Sequence, residues 1–199
     1  MKYPILEFSN TDFDSFVKQW SSFYNYDKMN LYDDNIGKSI LEVEDLINLY
    51  TWKNGTLLSG FNENGEHQGK FKGLNKNILS KILHINELKK NFDLNVFDKE
   101  FGKVSFVWKV FLMHIIQPDF YPIYDQHIHR AYLFLQGDSS FKNVKNTLKE
   151  PEKKKFYDEK YKSFIEEMCK TYSFAIRDID KAFFSFGQFL KKYKVKLIE

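Results

Sequence analysis

The stretch from Val104 to Ile116 is the most apolar part of this chain, and Lys109 is its one charged side chain. Gly102 precedes it and Pro118 follows it, so it reads as a strongly apolar helix with a defined start and stop. It falls well short of the roughly 18 to 20 residues that a bilayer crossing needs, and no other apolar run is longer. Alternation with a period of two is almost absent elsewhere. The expected fold is therefore all-α, in one domain of 199 residues.

The other expected helices follow the same pattern. Thr11 or Asp12 caps a helix to about Phe23, with Phe13, Phe16, Val17 and Trp20 on one face. Ile40 to Trp52 reads as a buried helix ending at Lys53-Asn54-Gly55, a glycine C-cap. Asn75 to Leu88, Asp125 to Leu135, Lys153 to Tyr172 and Ile176 to Tyr193 are helical in pattern. Asn25 to Asn35 and Asn62 to Gly73 read as loops, Asp93 to Lys99 as a broken connection, and Phe141 to Thr147 has no clear pattern. No internal repeat or long linker interrupts the chain.

Cys169 stands alone, which excludes an internal disulfide and a four-cysteine metal site. Met1 to Ser9 lacks a basic region followed by an apolar one. A soluble, cytoplasmic protein without cofactor, metal or membrane partner is expected, as a monomer. The 21 Phe and 12 Tyr exceed what packing alone requires. Charge is uneven: Met1 to Phe141 carries 15 basic and 18 acidic side chains, whereas Lys142 to Lys196 carries 15 basic and 8 acidic. The basic part includes Lys142, Lys145, Lys149, Lys153 to Lys155, Lys160, Lys162, Lys191, Lys192, Lys194 and Lys196. Such a face either attracts phosphate backbones or merely solvates helices.

The segment Gln-Pro-Asp-Phe-Tyr-Pro-Ile-Tyr-Asp-Gln-His-Ile-His-Arg-Ala, from Gln117 to Ala131, is the most specific. Two prolines bracket an extended approach to Asp125, which stands at a helix start. Phe120, Tyr121, Ile123 and Tyr124 would surround that carboxylate and partly desolvate it. An Asp in this position is either a simple N-cap or a carboxylate able to stabilise a cation and activate water. His127 and His129 with Asp125 do not suggest a metal site, because residues two apart on a helix point in different directions.

Asp125-Gln126-His127-Ile128-His129-Arg130 resembles the Asp-x-His-x-x-Arg helix start of the helix-hairpin-helix DNA glycosylases, the superfamily of endonuclease III and 8-oxoguanine glycosylase. Phe101-Gly102-Lys103-Val104-Ser105 resembles that family's hairpin, and Leu49-Tyr50-Thr51-Trp52-Lys53-Asn54 resembles the helix end that carries its duplex wedge. The close, Asp180 to Gly187, is similar to that of divergent bacterial members. The resemblance covers roughly residues 40–135, and its specific part is the Asp125 segment.

The resemblance implies a two-lobed fold with a DNA cleft between a lobe of about 40–117 and one formed by 1–39 and 118–199. It implies double-stranded DNA as partner and Asp125 as the carboxylate facing a sugar that is losing its base. It implies DNA contacts at Gly102, Lys103, Ser105, His127, Arg130, Trp52, Lys53 and Asn54, with His127 and the helix N-terminus on a phosphate. The family's Schiff-base lysine position falls on Val104, which favours a monofunctional enzyme; Lys103 and Lys109 are the candidate amines. The compact prokaryotic branch includes antiviral enzymes that remove α-glucosylated hydroxymethylcytosine from phage DNA, so glucosylated phage DNA is a candidate substrate.

Residue by residue, plainer roles compete. Asn54 beside Gly55 is equally a C-cap, Lys109 can snorkel to solvent, and His127 can be a satisfied core histidine. Trp20, Phe23, Tyr24 and Tyr26 are candidate stacking faces, and Trp108 and His114 fit a core equally well. The rivals to an enzyme are a non-catalytic DNA-binding module on the same scaffold and a helical protein-interaction domain.

Overall fold

A computed structural model describes residues 11–55, 60, 68–144 and 149–193. Lys145, Thr147, Lys194, Lys196, the Asn62 to His67 part of the expected loop and the stretch Met1 to Ser9 lie outside the described residues. The described residues are helical and carry no strand. Among them, no helix is long and apolar enough to cross a membrane.

Helix starts are written in the side chains. Asp12 accepts the Ser15 amide at 2.7 Å and opens α1 (Phe13–Ser22). Met29–Ile36 forms α2, where the sequence suggests a loop; its polar residues hide a tyrosine, Tyr32, that is buried against Trp52 and His114. Asp45 accepts the Glu42 amide at 2.8 Å at the head of α3 (Val43–Asn54), and Gly55 closes that helix in the left-handed region at φ 77°. The expected helix from Asn75 to Leu88 is instead broken. Gly69–Asn77 forms α4, a 3-10 turn takes Leu79–Lys81, and α5 is Ile82–Lys90.

Asp93 accepts the amides of Asn95 and Val96, so the expected broken connection is α6 (Leu94–Phe101), with Phe97 and Phe101 buried four residues apart. The apolar run becomes α7 (Phe106–Ile116), joined to α6 by residues 102–105, and α8 is Gln126–Leu135. Glu150–Phe156 (α9) and Lys162–Tyr172 (α10) flank a π turn at Tyr157–Tyr161, and α11 is Ile176–Tyr193. Phe141 lies in a 3-10 turn, Ser139–Asn143.

Helix α11 packs against both α1 and α8, whereas α2 packs on α3 and α7 meets α5 and α9. The α8–α11 crossing is very close, since a Cβ built on Gly187 would lie 2.0 Å from the His127 carbonyl oxygen. Most of the aromatic surplus belongs to the core rather than to a ligand surface. Phe156 stacks on His129 with ring centres 3.8 Å apart, and Phe16 meets Phe183 and Phe186 edge to face.

Candidate active site

The segment between α7 and α8 has no regular hydrogen-bonded structure, so its backbone groups need partners from elsewhere. Four side chains supply them in succession. His114 on α7 lies 2.7 Å from the Tyr121 carbonyl. Tyr157 on the π turn donates to the Pro122 carbonyl at 3.0 Å. Asp180 on α11 accepts the Ile123 amide at 2.9 Å, and Lys53 on α3 donates to the Tyr124 carbonyl at 3.1 Å. Elements far apart in the chain thus hold the strip that delivers Asp125.

A carbonyl only accepts, so His114 Nδ1 carries the proton and Nε2 accepts from the Tyr32 hydroxyl at 2.6 Å. Burial pushes His114 down to about 3, so it remains the neutral strut this geometry requires. Tyr161, also on the π turn, donates to the second oxygen of Asp180 at 3.1 Å. Asp180 is fully buried, and burial raises its carboxyl from 3.8 to about 7 against the pull of Ile123, Arg177, Tyr161 and Lys53.

Ile123 from this strip and Asp125 at its end line a pocket of about 480 Å³, within the range of small-molecule sites. Trp52, Lys53, Asn54 and Gly55 at the end of α3 contribute to it, with Val107 and Trp108 at the start of α7. Asp125, Gln126 and His127 come from the head of α8, Tyr24 and Tyr26 from the connection after α1, and Arg177, Asp180 and Phe184 from α11.

Asp125 has a divided role in this pocket. Its Oδ1 accepts the amides of His127 and Ile128 at 2.7 and 3.0 Å, capping α8. Its Oδ2 lies 4.0 Å from the Lys53 ammonium, too far for a hydrogen bond. The Lys53 side chain is only 9% exposed. Burial lowers its proton affinity, Arg177 adds to that, and Asp125 and Asp180 oppose it. The pocket therefore gathers two acids and two bases, with Lys53 and Asp125 Oδ2 4.0 Å apart.

Several expected contacts fall elsewhere. Lys109 is 2.5 Å from Asp98, over the Phe97 ring, and does not line the pocket, so it is not an amine poised beside Asp125. Gly102, Lys103 and Ser105 form the turn into α7 and also lie outside the pocket lining, whereas Val107 and Trp108 just beyond them reach it. Arg130 is a core residue at 5% exposure that donates to the carbonyls of Val144 at 2.8 Å and Gly187 at 3.4 Å, which rules it out as a phosphate contact.

Trp52 is also not a wedge: it is buried against Tyr26, Tyr32 and Phe111. Asn54 lines the pocket and accepts from Lys70 at 2.6 Å.

His127 lines the pocket, but two first-turn amides expected to hold a phosphate are already taken by Asp125. Its Nδ1 lies 3.4 Å from the Arg130 Nη1, and burial lowers its pKa while Asp125 and a backbone hydrogen bond at Gly187 oppose that shift. Of the ring candidates, Tyr24 and Tyr26 line the pocket, whereas Trp20 packs on Phe16 and Phe186 and Phe23 is exposed. Phe120 and Tyr121 do not line it, and Tyr124 turns its hydroxyl to His129 at 2.8 Å, so Ile123 alone of that apolar set faces the pocket. The basic stretch is partly self-neutralised, with Lys153, Lys154 and Lys162 beside Glu150, Asp158 and Glu166.

No protein-family model, curated protein or solved structure matches this chain.

Arg177 is the pocket residue that sequence reasoning missed altogether. Its guanidinium carbon lies 4.9, 4.8 and 5.1 Å from the ring centres of Tyr24, Tyr32 and Trp52. Its Nε and Nη2, and the Trp52 Nε1, are buried with no hydrogen-bond partner. Each such orphan costs on the order of 1–3 kcal/mol. The available signal was rarity: Arg130 and Arg177 are the only arginines in a lysine-rich chain.

Proposed function

We propose that this protein is a DNA N-glycosylase and that the pocket receives a nucleotide turned out of a duplex. The observation that carries the reading is the placement of Asp125. One carboxylate oxygen is spent on fixing the helix, and the other stands on the wall of a nucleotide-sized pocket beside a buried amine. The four-point hold on residues 121–124 supports it, because a carboxylate that stabilises developing charge must be fixed before the reaction starts.

In this mechanism the bond from C1′ to the base nitrogen breaks and its electron pair leaves with the base. Positive charge grows on the sugar, Asp125 Oδ2 offsets it, and a water oxygen adds to C1′ while its proton passes to the carboxylate, which then gives that proton up to the departed base nitrogen, directly or through solvent. The products are the free base and an abasic sugar. Lys109, engaged with Asp98, offers no amine for this centre, which favours hydrolysis without a lyase step. The helix-hairpin-helix resemblance supplies the two-lobed reading, with α6 and α7 as the hairpin pair.

The test is release of a base from purified duplexes, with glucosylated phage DNA and oligonucleotides bearing single damaged bases as substrates. Abasic sites should form, and Asp125→Asn should slow their formation roughly 100-fold or more. Salt-sensitive duplex binding without base release, unchanged by Asp125→Asn, would instead make the chain a DNA-binding module.

A further inference from the structure

We propose that Arg177 and Trp52 read the edge of the extruded base, selecting bases that present two adjacent hydrogen-bond acceptors. This deepens the glycosylase reading and rests on it. Arg177 Nε–H and Nη2–H lie on one side of a planar fork, the side that binds paired acceptors. Both are buried without an acceptor, and so is the Trp52 indole N–H beside them, a group that can only donate. Three unsatisfied donors on two stacked pocket residues call for a ligand rich in acceptors.

The chemistry narrows that ligand. Cytosine-type bases carry N3 next to O2, and guanine-type bases carry N7 next to O6, and either pair meets the fork in two parallel bonds. Adenine-type edges alternate acceptor with donor, and uracil- and thymine-type edges place an N–H between their carbonyls, so one arm of the fork stays unpaired. A phosphate would also suit a lone guanidinium, but Asp125 and Asp180 line the same pocket and disfavour a further anion. Tyr24, on the connection between α1 and α2, meets the guanidinium with its ring at 4.9 Å and by a side-chain hydrogen bond, so an incoming base edge competes with it for Arg177.

The arginine and tryptophan side-chain N–H signals of ¹⁵N-labelled protein report this directly, because there are two Arg and three Trp to assign. Titration with 2′-deoxycytidine or 2′-deoxyguanosine should move the Arg177 Nε–H and Trp52 Nε1–H signals together, and the two nucleosides decide between the cytosine and guanine types. Arg130, bonded to carbonyls in the core, is the internal control and should not move. Deoxyadenosine, deoxyuridine and inorganic phosphate should leave all of them in place.

In base release, Arg177→Lys and Trp52→Phe, checked for intact folding by circular dichroism, should lower kcat/KM for the preferred base roughly 10- to 100-fold. Release of uracil- or adenine-type bases at a rate unchanged by Arg177→Lys would overturn the proposal while leaving the glycosylase intact. Matched signal shifts with no base released from any duplex would do the reverse. Shifts caused by phosphate alone, or by none of the nucleosides, would overturn it outright.

Discussion

Asp180 accepts the Ile123 amide at 2.9 Å across 57 positions of sequence, tying α11 to the strip that carries Asp125. The contact uses a fully buried carboxyl whose pKa burial raises from 3.8 to about 7. The folded protein therefore holds that proton more tightly than the unfolded chain does. The stability this group contributes is complete below about pH 4 and is lost as pH rises through about 7. Asp180→Asn cannot ionise, and its amide can still accept from Ile123 and donate to Tyr161. Relative to this variant, the wild type should lose melting temperature steadily from pH 4 to 7 and level off above. Thermal melts at intervals of one pH unit check this, and parallel profiles would contradict it. A tenfold change in proton affinity is worth about 1.4 kcal/mol, so the total reaches a few kcal/mol.

Asp125 should separate into a structural and a chemical half. Asn can still accept the His127 and Ile128 amides, so Asp125→Asn should stay within about 0.5 kcal/mol of wild type. Asp125→Ala removes the cap and should cost about 0.5–2 kcal/mol. Both should slow base release roughly 100-fold or more. Urea titrations beside an abasic-site assay measure the two effects; an active Asn variant would leave Asp125 as a cap alone.

Gly187 has no room for a methyl group, because the His127 carbonyl would sit 2.0 Å from it, and a carbonyl carbon and Cα lie almost as near. These are backbone atoms, so a rotamer change gives no relief. Gly187→Ala should force α8 and α11 apart at a cost of about 1–3 kcal/mol or more. It should also disturb the pocket, since Asp125 and Arg177 sit on the two helices being parted. Denaturant midpoint and base release should fall together.

Arg130 and the exposed lysines of α11 should behave oppositely towards DNA. Arg130→Met leaves the Val144 carbonyl without its donor and should lose about 1–3 kcal/mol of stability, with no change in the salt dependence of binding. Lys191→Gln and Lys192→Gln should leave stability almost untouched, and each should reduce the log–log slope of affinity against salt by about 1 if it meets a phosphate. Fluorescence anisotropy with a labelled duplex at several salt concentrations distinguishes the two classes.

At several local positions the sequence was sufficient. Thr11 or Asp12, and Asp125, marked helix starts, Gly55 marked a left-handed stop, and the apolar run became α7, because capping and propensity act within one turn of backbone. Locality also explains the miss at α2, because Tyr32 gains its burial from Trp52 and His114, which its segment does not contain. At α6 the Asp93 cap and the Phe97–Phe101 pair are local signals that the sequence reading passed over.

The pocket depended on tertiary structure almost entirely. Asp125 was visible as a candidate, and Lys53 was visible only in another role. Asp180, Tyr157 and Tyr161 acquire meaning from what they touch across 19 to 57 positions of chain, and Arg177 from rings more than 100 positions away. Burial makes Asp180 protonatable near neutrality, is the largest cause lowering Lys53, and leaves Arg177 with unpaired donors. A sequence names the groups that can carry charge, but desolvation and the spacing between those groups decide what each can do, and both are set only when the helices close around them.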